Sequence, residues 1–224
     1  MEKINRTKPL LEQMKWQPTQ KKEYLEPKRK KCILFAGPSC AGKTTLITQL
    51  LSADTRLAIP HQVTTRAQRA GYTDKSTVST AEFAQLEAGN DFFHKGTSYG
   101  NLCGTLKSSV ENLVRSEKIP VLDFPLALIP ELKAANPDFE FIVFYILPKT
   151  LQEWYQRMVA TERNSFTRLK ASLSEFHQIL AHDQQDTMII IENGDNAQNT
   201  ALQKIQQVIE SYLADTGDNA SSVE

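Results

Sequence analysis

Eight residues, Gly37-Pro38-Ser39-Cys40-Ala41-Gly42-Lys43-Thr44, constrain the fold of this chain more than any other stretch. They complete the pattern GxxxxGK[ST]. That pattern has meaning only between a buried strand and a helix, and the sequence offers both. An apolar run, Lys31–Ala36 (KCILFA), precedes it, and a helical start, Thr44–Leu51, follows. In this setting the glycines let the backbone curl until its N–H groups converge, and converging N–H groups at a helix N-terminus bind phosphate oxygens. Lys43 is then placed for the β- and γ-phosphates, and the Thr44 hydroxyl for Mg²⁺. Residues 37–45, ending at Thr45, are thus a candidate cradle for a triphosphate, with ATP and Mg²⁺ as the expected ligands. A magnesium site also needs an acidic group at a nearby strand end. Asp123 fits that place, and reads equally as a plain turn former.

The rest of the chain repeats the alternation that the cradle requires. Further strand candidates are residues 57–63, Ile119–Phe124, Phe139–Leu147 and Thr187–Ile191, apolar nearly throughout. Helical patterns lie between them at Thr80–Ala88, Lys107–Lys118, Leu128–Ala135, Thr150–Ala181 (broken near Glu162–Ser165) and Ala197–Leu213. Thr80 reads as the N-cap signal of its helix. Asp91–Cys103 mixes aromatic, polar and glycine residues as a small hairpin would. Apolar strands alternating with helices predict an α/β fold, with a parallel sheet flanked by helices.

Composition narrows the setting. Lys+Arg and Asp+Glu both number 26 in 224 residues, so there is no basic excess of the kind that nucleic-acid binding demands. Residues 1–31 are the exception, with ten Lys/Arg against four Glu. We read 1–30 as an extension outside the core, either a solvated tail or a docking segment for a partner, and 214–224 as a disordered acidic tail. Cys32, Cys40 and Cys103 show no metal-ligand spacing and read as reduced thiols. No apolar run is long enough to span a bilayer. A cytoplasmic protein is expected.

The segments after the cradle carry a resemblance. Gly37–Leu46 (GPSCAGKTTL) is followed by Val63-Thr64-Thr65-Arg66, Arg69-Ala-Gly71, Glu82-Phe83, Asn90-Asp91-Phe92, Tyr99-Gly100-Asn101, Gly104-Thr105, Val121-Leu122-Asp123, Arg168-Leu169 and Asn193. In this order the set resembles the guanylate kinase family over about residues 31–213. The resemblance implies a P-loop kinase of three parts. A core holds ATP. A small insert, about 64–104, holds a phosphorylated acceptor. An arginine-containing helical lid, about 150–170, closes over both. It implies Arg66 and Arg69 as the clamp on the acceptor phosphate, and Thr105 as an acceptor contact. Arg157, Arg163 and Arg168 are implied as neutralisers of the charge on the transferred group, with Asn193 near the nucleotide. Lys43, Arg66, Arg157 and Arg168 would be the catalytic set.

The departures from the family lie where guanine is read. His94 stands in place of one carboxylate and Pro125 in place of a second. Gln62 or Val63 replaces a hydroxyl, and Cys103 replaces a phosphate-binding tyrosine. Guanine donors left without acceptors cost about 1–3 kcal/mol each, so GMP is not expected to be the preferred acceptor, and the expected acceptor is a nucleoside monophosphate or similar small phosphorylated molecule. His94 reads as an acceptor contact, a pH-sensitive group or a surface histidine. Tyr99 reads as a stacking residue or as filler of the insert's core. Cys40 reads as a redox-sensitive thiol or a small filler. Two other functions fit the same residues: a kinase of ribose bisphosphates, and a non-catalytic guanylate kinase-like module that binds partners through the old acceptor clamp.

Overall fold

The computed structural model describes residues 29–67, 75–98, 100–161, 165–180, 188–195 and 197–214. Two apolar runs form the spine. β1 (Lys30–Ala36) and β8 (Phe139–Leu147) pair in parallel along their whole shared length, from Lys30 opposite Phe139 to Ala36 opposite Tyr145. β7 (Ile119–Asp123) pairs with the other side of β1, and β2 (Leu57–Ala58) extends that edge. β9 (Ile189–Glu192) closes the far side on β8. The order is β2-β7-β1-β8-β9, all parallel.

Parallel strands need both faces covered, which is why these runs are apolar without alternation. Side chains of β1 divide by parity. Cys32, Leu34 and Ala36 join a core with Val110, Leu132, Trp154 and Phe176. Ile33 and Phe35 join the opposite core with Leu46, Leu50, Ile205 and Ile209. The second face is covered by α1 (Lys43–Ala53) and α7 (Gln198–Ala214). The first is covered by α3 (Lys107–Arg115), α4 (Ile129–Ala135), α5 (Leu151–Ala160) and α6 (Phe166–Leu180). Each fully buried Leu or Phe here is worth roughly 1.5–3 kcal/mol.

The expected strand over 57–63 is two strands in two sheets. Pro60 separates them. A proline has no N–H to give a ladder, so the run breaks there. Leu57–Ala58 stays in the core sheet, whereas β3 (Gln62–Thr64) enters a second sheet. That sheet has the order β4-β3-β6-β5, with β4 (Lys75–Thr77), β5 (Phe92–Ser98) and β6 (Asn101–Leu106). β5 and β6 are the hairpin expected in 91–103, antiparallel and irregular between Phe92 and His94. One extra residue on β5 at that point puts Phe93 into the main core, edge-on to Phe139 at 5.0 Å, while Phe92 stacks on Phe83 at 4.6 Å.

α2 (Thr80–Ala88) is capped by Ser79, one residue before the expected Thr80. Ser79 Oγ accepts from the Glu82 N–H at 3.2 Å, and the Glu82 carboxylate accepts from the Ser79 N–H at 2.7 Å. This reciprocal pair satisfies two donors at once, which Thr80 as cap would not. The helical stretch expected over 150–181 with a break near 162–165 is two helices, α5 ending at Ala160 and α6 beginning at Phe166. Among the described residues, no helix is long and apolar enough to cross a membrane. The extension up to residue 28, Arg69, Tyr99, Arg163 and the tail from 215 lie outside the described residues.

Candidate functional site

The loop between β1 and α1 owes its shape to two positive backbone angles at glycine. Gly37 has φ 138 and Gly42 has φ 98, and Cys40 joins them at φ 64. Neither glycine has room for a side chain. A Cβ at Gly37 would stand 2.4 Å from the Ile146 carbonyl oxygen, and one at Gly42 would stand 2.2 Å from Asn193 Nδ2. α1 begins with no side-chain cap and no acidic residue in its first turn. Its leading N–H groups are therefore left for an anion.

Lys43 lies across the loop. Its Nζ donates to the carbonyls of Gly37 at 2.6 Å and Pro38 at 3.1 Å, and stands 3.8 Å from Asp123 Oδ1. The loop is braced from three elements. Asn193, after β9, is buried, and its Nδ2 donates to the Ala41 carbonyl at 2.8 Å. Trp154 of α5 donates its indole N–H to the Ser39 carbonyl at 2.7 Å. Arg168 of α6 reaches Ser39 Oγ at 3.4 Å.

A single cleft of about 1000 Å³ joins this loop to the second sheet. At one end it is lined by Gly37, Ser39, Cys40, Ala41, Gly42, Lys43, Thr44, Thr45, Asp123 and Asn193. At the other it is lined by Gln62, Lys75, His94, Gly96, Cys103, Thr105 and Pro125. Arg157, Arg168, Ser172 and Glu175 close it from the α5–α6 side. Among the described residues singled out for the site, Pro38, Val63 and Arg66 are not part of this lining. Arg66 is tied instead through its backbone, its N–H to Thr64 Oγ1 at 3.2 Å and its carbonyl to the Thr77 hydroxyl at 2.9 Å. Arg157 faces the cleft while paired with Asp195, at 3.0 Å from Nε and 2.7 Å from Nη2.

Of Gln62 and Val63, one lines the cleft and the other is buried. Gln62 pairs opposite Thr105, lines the cleft, and points its Nε2 at Thr105 Oγ1 from 3.3 Å, whereas Val63 is buried. His94 is opposite Thr105 on the other strand and sits edge-on to Phe124 at 4.5 Å. His94 is thus half-buried in the cleft wall rather than a surface histidine.

Burial lowers the pKa of His94 below its usual value, and Glu131 pulls weakly the other way. The neutral ring is favoured in the folded state. Below pH 6.5 the unfolded chain therefore binds more protons at this residue than the folded chain does, and folding stability falls as pH falls. Urea midpoints from pH 7.5 to 5 should drop more steeply for the wild type than for His94→Gln. Parallel curves would assign the acid sensitivity elsewhere.

Trp154 and Glu175 are among the site residues not anticipated from sequence. Trp154 belongs to the apolar stripe Leu151–Trp154–Met158, and nothing local shows that its indole N–H serves a loop far away in sequence. Glu175 does leave a signal. Arg168, Ser172 and Glu175 fall at i, i+4 and i+7, a polar stripe on one face of α6. Burial pushes the Glu175 carboxyl up, and Lys43 draws it back down.

Thr44 and Asp123 supply a hydroxyl and a carboxylate to the same end of the cleft. An all-oxygen pair of this kind fits Mg²⁺, which keeps several waters and takes the rest of its shell from phosphates. Among the described residues no three His, Cys, Asp or Glu side chains gather as a metal site. Such an ion would therefore depend on the nucleotide for most of its ligands.

Comparison with known proteins agrees with this arrangement. The guanylate kinase family model matches residues 28–212. A guanylate kinase of Clostridium perfringens is 32% identical over 154 residues, 66% of this chain and 70% of that protein. A guanylate kinase of Trichormus variabilis is 30% identical over 168 residues, 73% of this chain and 83% of that protein. The crystal structure of guanylate kinase from Anaplasma phagocytophilum has the same fold, with a TM-score of 0.63 at 20% identity, over 83% of this chain and 87% of that one.

Proposed function

The chain belongs to the guanylate kinase family, and from that premise we propose that it is an ATP- and Mg²⁺-dependent phosphotransferase whose acceptor is a small phosphorylated molecule other than GMP. The observation that carries this reading is the continuity of the cleft. One wall is the phosphate loop with Lys43, Thr44 and Asp123, and the facing wall is the second sheet with Gln62, His94 and Thr105. Phosphoryl transfer asks a protein mainly for positioning and for positive charge around the moving group. Lys43 supplies charge at the loop. Arg157 and Arg168 supply it from the opposite side. Bound Mg²⁺ would neutralise charge on the phosphates, with Thr44 and Asp123 as its protein contacts. Arg66 and Arg69 are proposed for the acceptor phosphate.

The acceptor end argues against guanine. Among the described residues its polar side chains are Gln62, Lys75, His94, Thr97, Cys103 and Thr105, and Pro125 offers the cleft no side-chain acceptor at all. A carboxylate accepts from both the N1–H and N2–H₂ groups of guanine. A neutral imidazole accepts through one nitrogen only. Sites built on such hydrogen bonds lose discrimination when the partners go. No carboxylate lines this wall among the described residues, which also favours a phosphorylated sugar as a second reading.

The test is an ADP-release assay with ATP and Mg²⁺ against GMP, dGMP, AMP, CMP, UMP and ribose 1,5-bisphosphate. Another acceptor should exceed GMP by about tenfold or more in kcat/KM, the scale of one lost hydrogen-bonding contact at roughly 1.4 kcal/mol. His94→Glu combined with Pro125→Asp should raise GMP use by about 10–100-fold, at 1–3 kcal/mol for the restored contacts. Dominant GMP activity in the wild type would refute the acceptor assignment. ATP binding without acceptor-dependent ADP release would favour a non-catalytic binding module.

A further inference from the structure

We propose that Glu175, carried by helix α6, is a second carboxylate of the magnesium site and positions the hydrated ion from the lid side. The inference rests on the nucleotide-binding reading above. Its starting point is a buried carboxylate oxygen without a well-formed hydrogen bond. Glu175 Oε1 is buried and has no hydrogen-bond donor among the described residues. The hydroxyl of Tyr145 on β8 is buried beside it and is the group that interacts with the carboxyl, without a bond of good hydrogen-bond geometry between them. A buried polar atom left unsatisfied costs about 1–3 kcal/mol. Such an atom is tolerated where a ligand supplies the missing partner.

The surroundings indicate which ligand. Glu175 lines the same cleft as Lys43, Thr44 and Asp123, and it interacts electrostatically with both Lys43 and Asp123. Two carboxylates therefore face one ammonium at the point where polyphosphate would add more negative charge. A divalent cation balances that set, and its coordinated waters are the donors that Oε1 lacks. The helix provides the reach. Arg168 meets the phosphate loop at Ser39, and Glu175, two turns further along α6 or about 10 Å on, lines the same cleft. One helix face thus carries a cation for phosphate at one end and an anion for the metal at the other.

The test compares ATP binding by calorimetry with Mg²⁺ and in EDTA. Glu175→Gln should weaken Mg²⁺·ATP binding by about tenfold, the lower end for loss of a group behind the direct ligands. Binding of metal-free ATP should stay level or tighten, because a negative charge facing the phosphates has gone. Glu175→Asp, with charge kept and reach shortened, should show a smaller loss in the same direction, and serves if Glu175→Gln does not fold. Tyr145→Phe should leave the preference for Mg²⁺·ATP unchanged. The proposal is overturned if Glu175→Gln changes both affinities by the same factor or changes neither. It is also overturned if Tyr145→Phe reproduces the loss, since Glu175 would then be a packing partner of the phenol. Wild-type protein that binds ATP in neither condition would remove the nucleotide reading itself.

Discussion

Lys43→Ala is expected to lower acceptor-dependent ADP release by about 10²–10³-fold, the cost of removing one preorganised positive donor from a transferring group. The folded protein should survive the change. Lys43 gives the loop two hydrogen bonds, to the carbonyls of Gly37 and Pro38, and each is worth about 1 kcal/mol net. Water can replace the ammonium at both carbonyls, because the loop borders an open cleft. Turnover and melting temperature should therefore separate, with rate falling by orders of magnitude and Tm by a few degrees. A variant retaining a third or more of wild-type turnover would remove Lys43 from the chemistry.

Gly42→Ala should produce the second large effect, by a different physical route. At φ 98 a residue with a Cβ is strained, at about 1–3 kcal/mol. The new methyl would also stand 2.2 Å from Asn193 Nδ2. Asn193 is buried and holds the Ala41 carbonyl, so pushing it aside leaves that carbonyl unpaired, at about 1–3 kcal/mol more. A total of about 3 kcal/mol corresponds to roughly 6–12 °C in Tm for a chain of this size. If the loop relaxes instead, the same energy appears as a loss of about 10²-fold in ATP affinity. Gly42→Ala combined with Asn193→Ala should be milder than the sum of the two, because the second change removes the clash. Strict additivity would mean that backbone strain alone is responsible.

What could be read from the sequence follows the range of the interactions. The phosphate loop was legible because strand, glycines, lysine and helix are all local, within residues 30–53. β1 and β8 were legible because a strand covered on both faces must be apolar throughout. The split at Pro60 was hidden, because an apolar run with one proline reads as a single strand until its two halves are seen in different sheets. β4 was invisible for the opposite reason. Lys75-Ser76-Thr77 is short and polar, and pairing with β3 alone makes it a strand. The bracing of the loop by Trp154 and Asn193 spans more than a hundred residues in each case. No local pattern encodes such contacts. Resemblance brought Asn193 into view, and only coordinates brought Trp154.

The break at Pro60 gives the molecule two halves that can be altered separately. Among the described residues, the hydrogen bonds of the phosphate loop come from its own residues, from α5 and α6 and from the end of β9. None is supplied by the four-stranded sheet. On the proposed function, exchanging Gln62, His94 and Thr105 for other side chains should leave the geometry of the loop proposed to hold the donor nucleotide unchanged. For protein engineering this makes the second sheet a replaceable cartridge. A library confined to three or four positions on β3, β5 and β6 explores new acceptors against a constant phosphoryl donor.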